Sequence, residues 1–330
     1  MFKFGIEFVP TDVYWKVIYH AIQAEKAGYD YVWITDHFNN RNVYVLLTNI
    51  AVYTNKIKFG PGVTNPYMIH PIMTAQSMAS LNDMAPGRVA CGLGTGDKTT
   101  LDMVGVERAK PLAAVREAVR IIRDVTTGKA VKLEGEVFKV AGAKINFKVA
   151  NPIPIFVGAQ GPKMISLAAE VGDGVLINAS HRKDFEDAMG HIKEGASKAC
   201  KKLDDLEVVA ATSFSVHEDA AKAQKAATIV AAFIVAGSPE PILQRHNISI
   251  EAANKLRDAI AKGMWKDVFA NVTPDMIEAF SIAGTPDTCI EKIDQLRKIG
   301  VTLFITGSPI GPNVRDSINL IKNKIIPHFK

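Results

Sequence analysis

Residues 88–97 read Arg88-Val89-Ala90-Cys91-Gly92-Leu93-Gly94-Thr95-Gly96-Asp97. The first half has the composition of a short buried strand. The second half alternates glycines, which permit backbone angles and close approaches that a Cβ forbids, and ends on a carboxylate. A phosphate-binding P-loop needs Gly directly before Lys-Ser/Thr, but Asp97 separates Gly96 from Lys98 and would repel the phosphate. A dinucleotide fingerprint needs Gly-x-Gly-x-x-Gly opening a helix, whereas the spacing here is Gly-x-Gly-x-Gly and the next convincing helix starts near Pro111. What survives is a glycine-rich loop at the carboxyl end of a strand with one acid in it. A plain strand exit with a solvated Asp97 fits these residues equally well.

Outward from this stretch the chain alternates strand and helix. Apolar strands are predicted at 2–8, 31–35, 57–63 and 89–93, with amphipathic helices at 12–26, 42–54 and 71–83 between them. After Gly94 a loop of about sixteen residues leads to a helix at 111–127, long enough to suggest a function. Residues 128–151 break the rhythm with alternating apolar positions and the turns at Gly135 and Gly142, the pattern of an inserted hairpin or flap. The cycle resumes with strands at 155–158, 175–178, 206–215 and 303–306, and helices at 162–171, 182–202, 287–299 and 313–325. Residues 218–280 read as helical, with breaks at Ser238-Pro239, Asn247, Gly263 and Thr273-Pro274.

Near-continuous apolar strands, each followed by helix, predict an α/β fold with a parallel sheet covered on its outer face. Eight such units favour a TIM-type (β/α)8 barrel, one domain over 1–330 with insertions near 128–151 and 218–280. An open doubly wound sheet with a helical domain at 218–280 is the alternative. In both, ligands meet the carboxyl ends of the strands.

With 330 residues and 48% hydrophobic content, the chain can bury a large core. Its formal charge of +5 is spread along helices without a dense basic run, which disfavours nucleic acid and supports only a mild preference for acidic small molecules. The N-terminus enters a strand without a signal-peptide pattern, and no uninterrupted apolar run approaches the roughly 18 residues of a membrane span. A cytoplasmic protein without a membrane partner is therefore expected. Cys91, Cys200 and Cys289 are far apart and odd in number, against a disulfide framework, and the histidines form no metal-binding pair.

Polar residues at the strand ends are the candidates for function. Glu7 stands in a strand otherwise apolar apart from Lys3, and burying a lone carboxylate is costly, so it is either paired or opens into a pocket. Asp36 and His37 follow the second strand; His37 is as readily a loop hydrogen-bonding residue as a ligand contact. Two prolines and two glycines in 60–66 imply local backbone distortion after the third strand. Asp97 follows the fourth. After the fifth, Gly158-Ala159-Gln160-Gly161-Pro162 opens a helix whose free amides suit a phosphate, and Asn178, Ala179 and Ser180 follow the sixth. Ordinary turn chemistry accounts for these last two loops equally well.

At 24–38 (Ala-Glu-Lys-Ala-Gly-Tyr-Asp-Tyr-Val-Trp-Ile-Thr-Asp-His-Phe), 87–96, and 157–178 with its Gly-Pro-x-Met and Gly-Asp-Gly, the sequence resembles the luciferase-like flavin and deazaflavin oxidoreductases. Glu7, the run Gly-Leu-Gly-Thr-Gly-Asp-Lys-Thr-Thr-Leu and the ending Gly-Ser-Pro-Ile-Gly-Pro point within that family to the branch that reduces a one-carbon pterin. The resemblance implies a TIM-type barrel and coenzyme F420, an 8-hydroxy-5-deazaflavin. The implied reaction is reversible hydride transfer to 5,10-methylenetetrahydromethanopterin giving the 5-methyl form. It also implies a non-prolyl cis peptide at Gly62-Val63 under the ring, with Thr64 beside it. Asp36 and His37 would lie near the ring, Gly94, Thr95 and Gly96 beside it, and the amides of Ala159, Gln160 and Gly161 on the phosphate, with Asn178 where relatives carry a hydroxyl. Gln160 departs from the glycine often found there. Glu7 and Asp97 are the implied catalytic pair, one giving a proton to the departing nitrogen and one stabilising an iminium cation, with Glu7 favoured as the acid. A homodimer or homotetramer is implied as well. The alternatives are an FMN monooxygenase or an F420-dependent alcohol or sugar-phosphate dehydrogenase on the same barrel, and a non-enzymatic barrel homologue.

Overall fold

The computed structural model describes all residues, Met1–Lys330. Its strands are β1 (Lys3–Phe8), β2 (Tyr31–Ile34), β3 (Lys58–Pro61), β4 (Cys91–Leu93), β5 (Val131–Glu134), β6 (Lys139–Ala143), β7 (Ile155–Ala159), β8 (Gly174–Asn178), β9 (Glu207–Val216), β10 (Ile282–Gly284) and β11 (Leu303–Ile310). The main sheet has the order β3-β2-β1-β11-β9-β8-β7-β4, with β10 beside β9. Bridges from Phe59 to Val89 and from Thr64 to Leu93 join β3 to the β4 segment. The fold is the TIM-type (β/α)8 barrel, and the eight expected strands are its staves. The three-residue β10, parallel to β9, was not expected from the pattern.

The chain divides into two compact units. The larger comprises Gly5–Ile177 and Gly190–Val209. Here β1, β2 and β3 run parallel, as do β4, β7 and β8, in registers that set Glu7 opposite Trp33 and Trp33 opposite Gly60. Trp33 stacks on Tyr31 at 5.5 Å and 8° and meets the edge of Phe156 on β7 at 5.3 Å. Since β2 and β7 are not neighbours in the sheet, these rings fill the interior, each aromatic pair adding about 1 kcal/mol beyond its burial. Residues opposite each other in register point the same way, so Glu7 faces this interior too.

Helices of this unit start where proline or a side-chain cap permits. Pro71, Pro111 and Pro162 take the first position of their helices, and Asn42 Oδ1 accepts the amides of Tyr44 and Val45 to open Val43–Tyr53. Gly28, at φ 85°, closes Tyr14–Ala27 in the left-handed conformation that favours glycine. Residues 128–151 hold the antiparallel hairpin of β5 and β6. Its turn is tied to the helix Pro111–Thr126 by Glu117, whose carboxylate accepts the amides of Glu136, Val137 and Phe138 at 2.7, 3.1 and 2.8 Å.

The smaller unit comprises Met1–Phe4, Asn178–Met189 and Ala210–Lys330. Five helices span the 218–280 region: Ala220–Gly237, Glu240–Arg245, Ile250–Ala261, Trp265–Asn271 and Pro274–Phe280. The first is long and apolar enough by composition to cross a membrane. It serves as a core helix, with Ala232, Val235 and Ala236 packed among Leu243, Leu256 and Phe280. Asp184 accepts Arg245 Nη1 at 2.9 Å and lies 3.1 Å from His246 Nε2, fastening the helix Glu240–Arg245.

Candidate active site

The carboxyl ends of β1 to β4 and β7 gather most of the predicted residues within the larger unit. Glu7 is partly open to solvent but surrounded by enough protein that burial pushes its carboxyl up to about 7. It has no hydrogen-bond or ion-pair partner, so nothing offsets the cost of its charge.

Asp36, just past β2, is half-buried and accepts a hydrogen bond from Thr64 Oγ1 at 2.7 Å. Burial raises its pKa, while the Thr64 bond and the neighbouring His37 pull the other way. His37 offers its carbonyl to the Asn40 amide, and its ring makes no hydrogen bond.

The peptide between Gly62 and Val63 is cis, at the position the resemblance implies. Backbone bonds clamp this segment on both sides: Gly62 N to Ile34 O at 2.8 Å, Thr64 N to Gly92 O at 3.0 Å, and Gly94 N to Thr64 O at 2.8 Å. A Cβ on Gly62 would stand 2.8 Å from Trp33 Cβ, so the cis peptide rests directly on the aromatic layer. A Cβ on Gly94 would stand 2.7 Å from Val63 Cγ2, and one on Gly158 3.5 Å from it. Val63 therefore seats its methyls against two bare backbones at the strand ends.

Thr95 and Gly96 continue the turn, with Gly96 at φ 71°. The expected sixteen-residue loop is not all loop: Lys98–Met103 is a helix, and Asp97 is its N-cap. Asp97 is exposed and accepts the Thr100 amide on Oδ2 at 2.9 Å, while Thr100 Oγ1 returns a bond to Asp97 O at 3.0 Å. Asp97 and Glu7 make no polar contact with each other.

Ala159 ends β7, and Gln160 and Gly161 are exposed. Gly161 N-caps the helix Pro162–Val171 without any side-chain cap, and the space where its Cβ would stand is open. The first amides of that helix are thus free for an anionic group. Asn178 ends β8 with its side chain exposed and belongs to the smaller unit. No group of three or more His, Cys, Asp or Glu is arranged to hold a metal ion.

Two residues near the site escaped the sequence, Tyr44 and Thr74, whose hydroxyls are buried without a hydrogen-bond partner. Tyr44 follows the helix-capping Asn42, which the sequence does show, but nothing in the pattern says its hydroxyl turns inward.

Residues 9–303 match the luciferase-like monooxygenase family. The chain belongs to that family. A 5,10-methylenetetrahydromethanopterin reductase of Archaeoglobus fulgidus is 54% identical over 99% of this chain and 100% of the relative. The reductase of the same name from Methanopyrus kandleri is 44% identical over 99% of each. The solved structure of the coenzyme F420 dependent tetrahydromethanopterin reductase from Methanopyrus kandleri superposes with a TM-score of 0.95 at 43% identity, covering 100% of this chain and 99% of that one. Among luciferase-like proteins the chain thus resembles F420-dependent pterin reductases end to end.

Proposed function

We propose that this protein transfers hydride reversibly from reduced coenzyme F420 to the methylene carbon of 5,10-methylenetetrahydromethanopterin. The product is 5-methyltetrahydromethanopterin, in the one-carbon metabolism of methanogenesis, and the protein acts as a cytoplasmic homo-oligomer. The observation that carries this is the unbroken likeness, 54% over 99% of the chain, to a reductase with that substrate in its name.

The strand-end geometry fits such a cofactor. The surface of Gly62, Val63 and Thr64 with the turn of Gly94, Thr95 and Gly96 would hold a planar ring, with Asp36 and His37 at its edge. The uncapped helix start at Ala159, Gln160 and Gly161 would hold an anionic arm. A bound deazaflavin supplies the hydride.

The chain's part is to orient, exclude water and manage one proton. Opening the methylene bridge requires a proton on the departing nitrogen. Glu7, raised to about 7, is about half protonated at neutral pH and stands unpartnered, able to give that proton. Asp97, solvated and bound to the Thr100 amide, sits at the rim, where a carboxylate can face a cationic substrate.

The oligomer is supported by the helix Val43–Tyr53, eleven residues without a charge. Its outer positions Val45, Val52 and Tyr53 are 60%, 62% and 58% exposed, an apolar face suited to a second copy.

The test is an anaerobic assay of reduced F420 with methylenetetrahydromethanopterin, following the visible absorbance of the oxidised deazaflavin. Pterin-dependent oxidation is expected. Turnover with a secondary alcohol but none with the pterin, or tight FMN binding without F420 binding, would replace the assignment.

A further inference from the structure

The turn that carries Asp97 is held differently from the strands that lead to it. Backbone bonds join the segments after β3 and β4 as far as Thr64 N to Gly92 O and Gly94 N to Thr64 O. Beyond Gly94 this ladder stops, and Thr95, Gly96 and Asp97 run on toward the helix Lys98–Met103. Side chains take over there. Asn65 and Leu101, both buried, pack so closely on Gly96 that a Cβ on it would stand 3.2 Å from Asn65 Cγ and 3.1 Å from Leu101 Cδ1. Arg108 Nη1 donates to the Gly96 carbonyl at 3.3 Å. Arg108 is in turn set from the β3 side. Asn65 Oδ1 accepts the amides of Tyr67 and Met68 at 3.1 and 2.9 Å, closing a turn, and the Tyr67 hydroxyl donates to the Ala109 carbonyl at 2.8 Å. Burial holds the Tyr67 phenol above its ordinary value against the pull of Arg108, so the hydroxyl remains a donor. Next to Ala109, Lys110 has φ 44°, a left-handed angle that is costly for a residue with a Cβ and persists where its surroundings impose it. Residues 98–110 thus leave at Asp97, bury only Leu101 in their helix and are drawn back to their starting point by Tyr67 and Arg108.

We propose that Tyr67 is a positioning residue for Asp97: its hydroxyl fixes Ala109, which sets the Arg108 guanidinium on the Gly96 carbonyl and so fixes the turn from which the Asp97 carboxylate faces the substrate. Asp97 Oδ2 is already committed to the Thr100 amide at 2.9 Å, so the carboxylate does not swing independently of its own backbone. Whatever sets the peptide between Gly96 and Asp97 therefore sets the carboxylate. Both ties reach solvent, and each alone is a modest bond in competition with water. Acting on one short turn already packed by Asn65 and Leu101, they select one direction for it. The seat at Gly62, Val63 and Thr64 is held by the backbone ladder and does not depend on Tyr67. Loss of the tie should therefore be felt by the pterin and not by the cofactor.

The role given to Asp97 rests on the proposed function, but the tie itself is readable without cofactor or substrate. Tyr67→Phe removes one hydroxyl and keeps the ring. In the apoprotein it should speed hydrogen exchange of the Thr100 amide, far from it in sequence, by about three- to tenfold, the worth of one hydrogen bond. In the anaerobic assay it should lower kcat/KM for methylenetetrahydromethanopterin by about the same three- to tenfold, with the F420 Kd unchanged. A residue that only supported the fold would add its loss to any other. Tyr67 acts through Asp97, so in an Asp97→Asn background Tyr67→Phe should cost about twofold or less. Arg108→Gln, which breaks the same path nearer the turn, should behave alike, and if Tyr67→Phe does not fold it decides by the same cycle. Unchanged Thr100 exchange overturns the proposal. So does, with pterin reduction present, an equal effect of Tyr67→Phe in both backgrounds, including none. Faster Thr100 exchange in a protein that reduces no pterin supports the tie and faults the assigned reaction.

Discussion

Glu7→Gln should make the protein more stable and nearly inactive, and the two effects share one cause. Burial, with no donor or cation to offset it, moves the Glu7 carboxyl from 4.5 to about 7. That gap corresponds to about 3 kcal/mol of unfavourable ionisation in the native state. Below pH 4.5 the group is neutral in folded and unfolded chains alike, and its stability contribution is fully present. Between 4.5 and about 7 the unfolded chain ionises first and stability falls. Above about 7 the loss is complete and constant. Glutamine keeps the shape and cannot ionise. The variant should therefore match the wild type near pH ~4 and exceed it by about 3 kcal/mol near pH ~8, read by denaturant unfolding of the apoprotein at each pH. Pterin reduction should drop by about 10²- to 10⁴-fold, the usual worth of a general acid, with the wild-type rate itself declining above pH ~7. A stability gain that does not change with pH, or near-normal turnover, would refute the assignment of the uncompensated charge and the proton to Glu7.

Three further outcomes test the surroundings. Gly94→Ala places a Cβ 2.7 Å from Val63 Cγ2. It should weaken F420 binding about tenfold or more by displacing Val63 while leaving the circular dichroism spectrum unchanged, and an unaltered Kd in a fluorescence titration would show that this seat is irrelevant. Glu117→Ala removes the acceptor of three hairpin amides. The Glu136, Val137 and Phe138 amides should then exchange faster by the equivalent of about 2 kcal/mol in hydrogen-exchange experiments, with the barrel amides unaffected. Val52→Glu puts a charge in the middle of the exposed apolar face of the helix Val43–Tyr53. Sedimentation should show a smaller species than the wild type; an identical species would move the oligomer contact elsewhere.

The barrel was legible because its strands are buried on both faces. Runs such as Tyr31-Val32-Trp33-Ile34 carry no polar residue and can only be interior. The breaks of the helical region were legible for an equally local reason, since Asn247 at φ 55° and Gly263 at φ 65° are residue types that tolerate the left-handed conformation. β10 was missed because Ile282-Ala283-Gly284 is too short to show a period. The helix Lys98–Met103 was missed because Asp97 has two meanings in one dimension. A carboxylate after a strand reads as a ligand contact, and the same Asp, three residues before Thr100, reads as a cap. Only the bond to the Thr100 amide separates them.

The same distinction bears on how the acids divide the work. Three carboxyl groups stand at three strand ends in three surroundings. Glu7 has no donor and is opposed by burial alone; Asp36 is opposed by burial but holds one hydroxyl donor; Asp97 is in solvent and already bonded to an amide. A proton is held most readily where burial opposes the charge and no donor favours it, which is the case for Glu7 and only partly for Asp36. If the reaction needs one neutral acid and one standing negative charge near the ring, Glu7 fills the first place, and Asp36, tied by Thr64, competes with Asp97 for the second. Asp36→Asn and Asp97→Asn separate them. The group that faces the cationic intermediate should lower kcat when neutralised, whereas a cap should cost local stability in the helix Lys98–Met103 and leave kcat nearly intact.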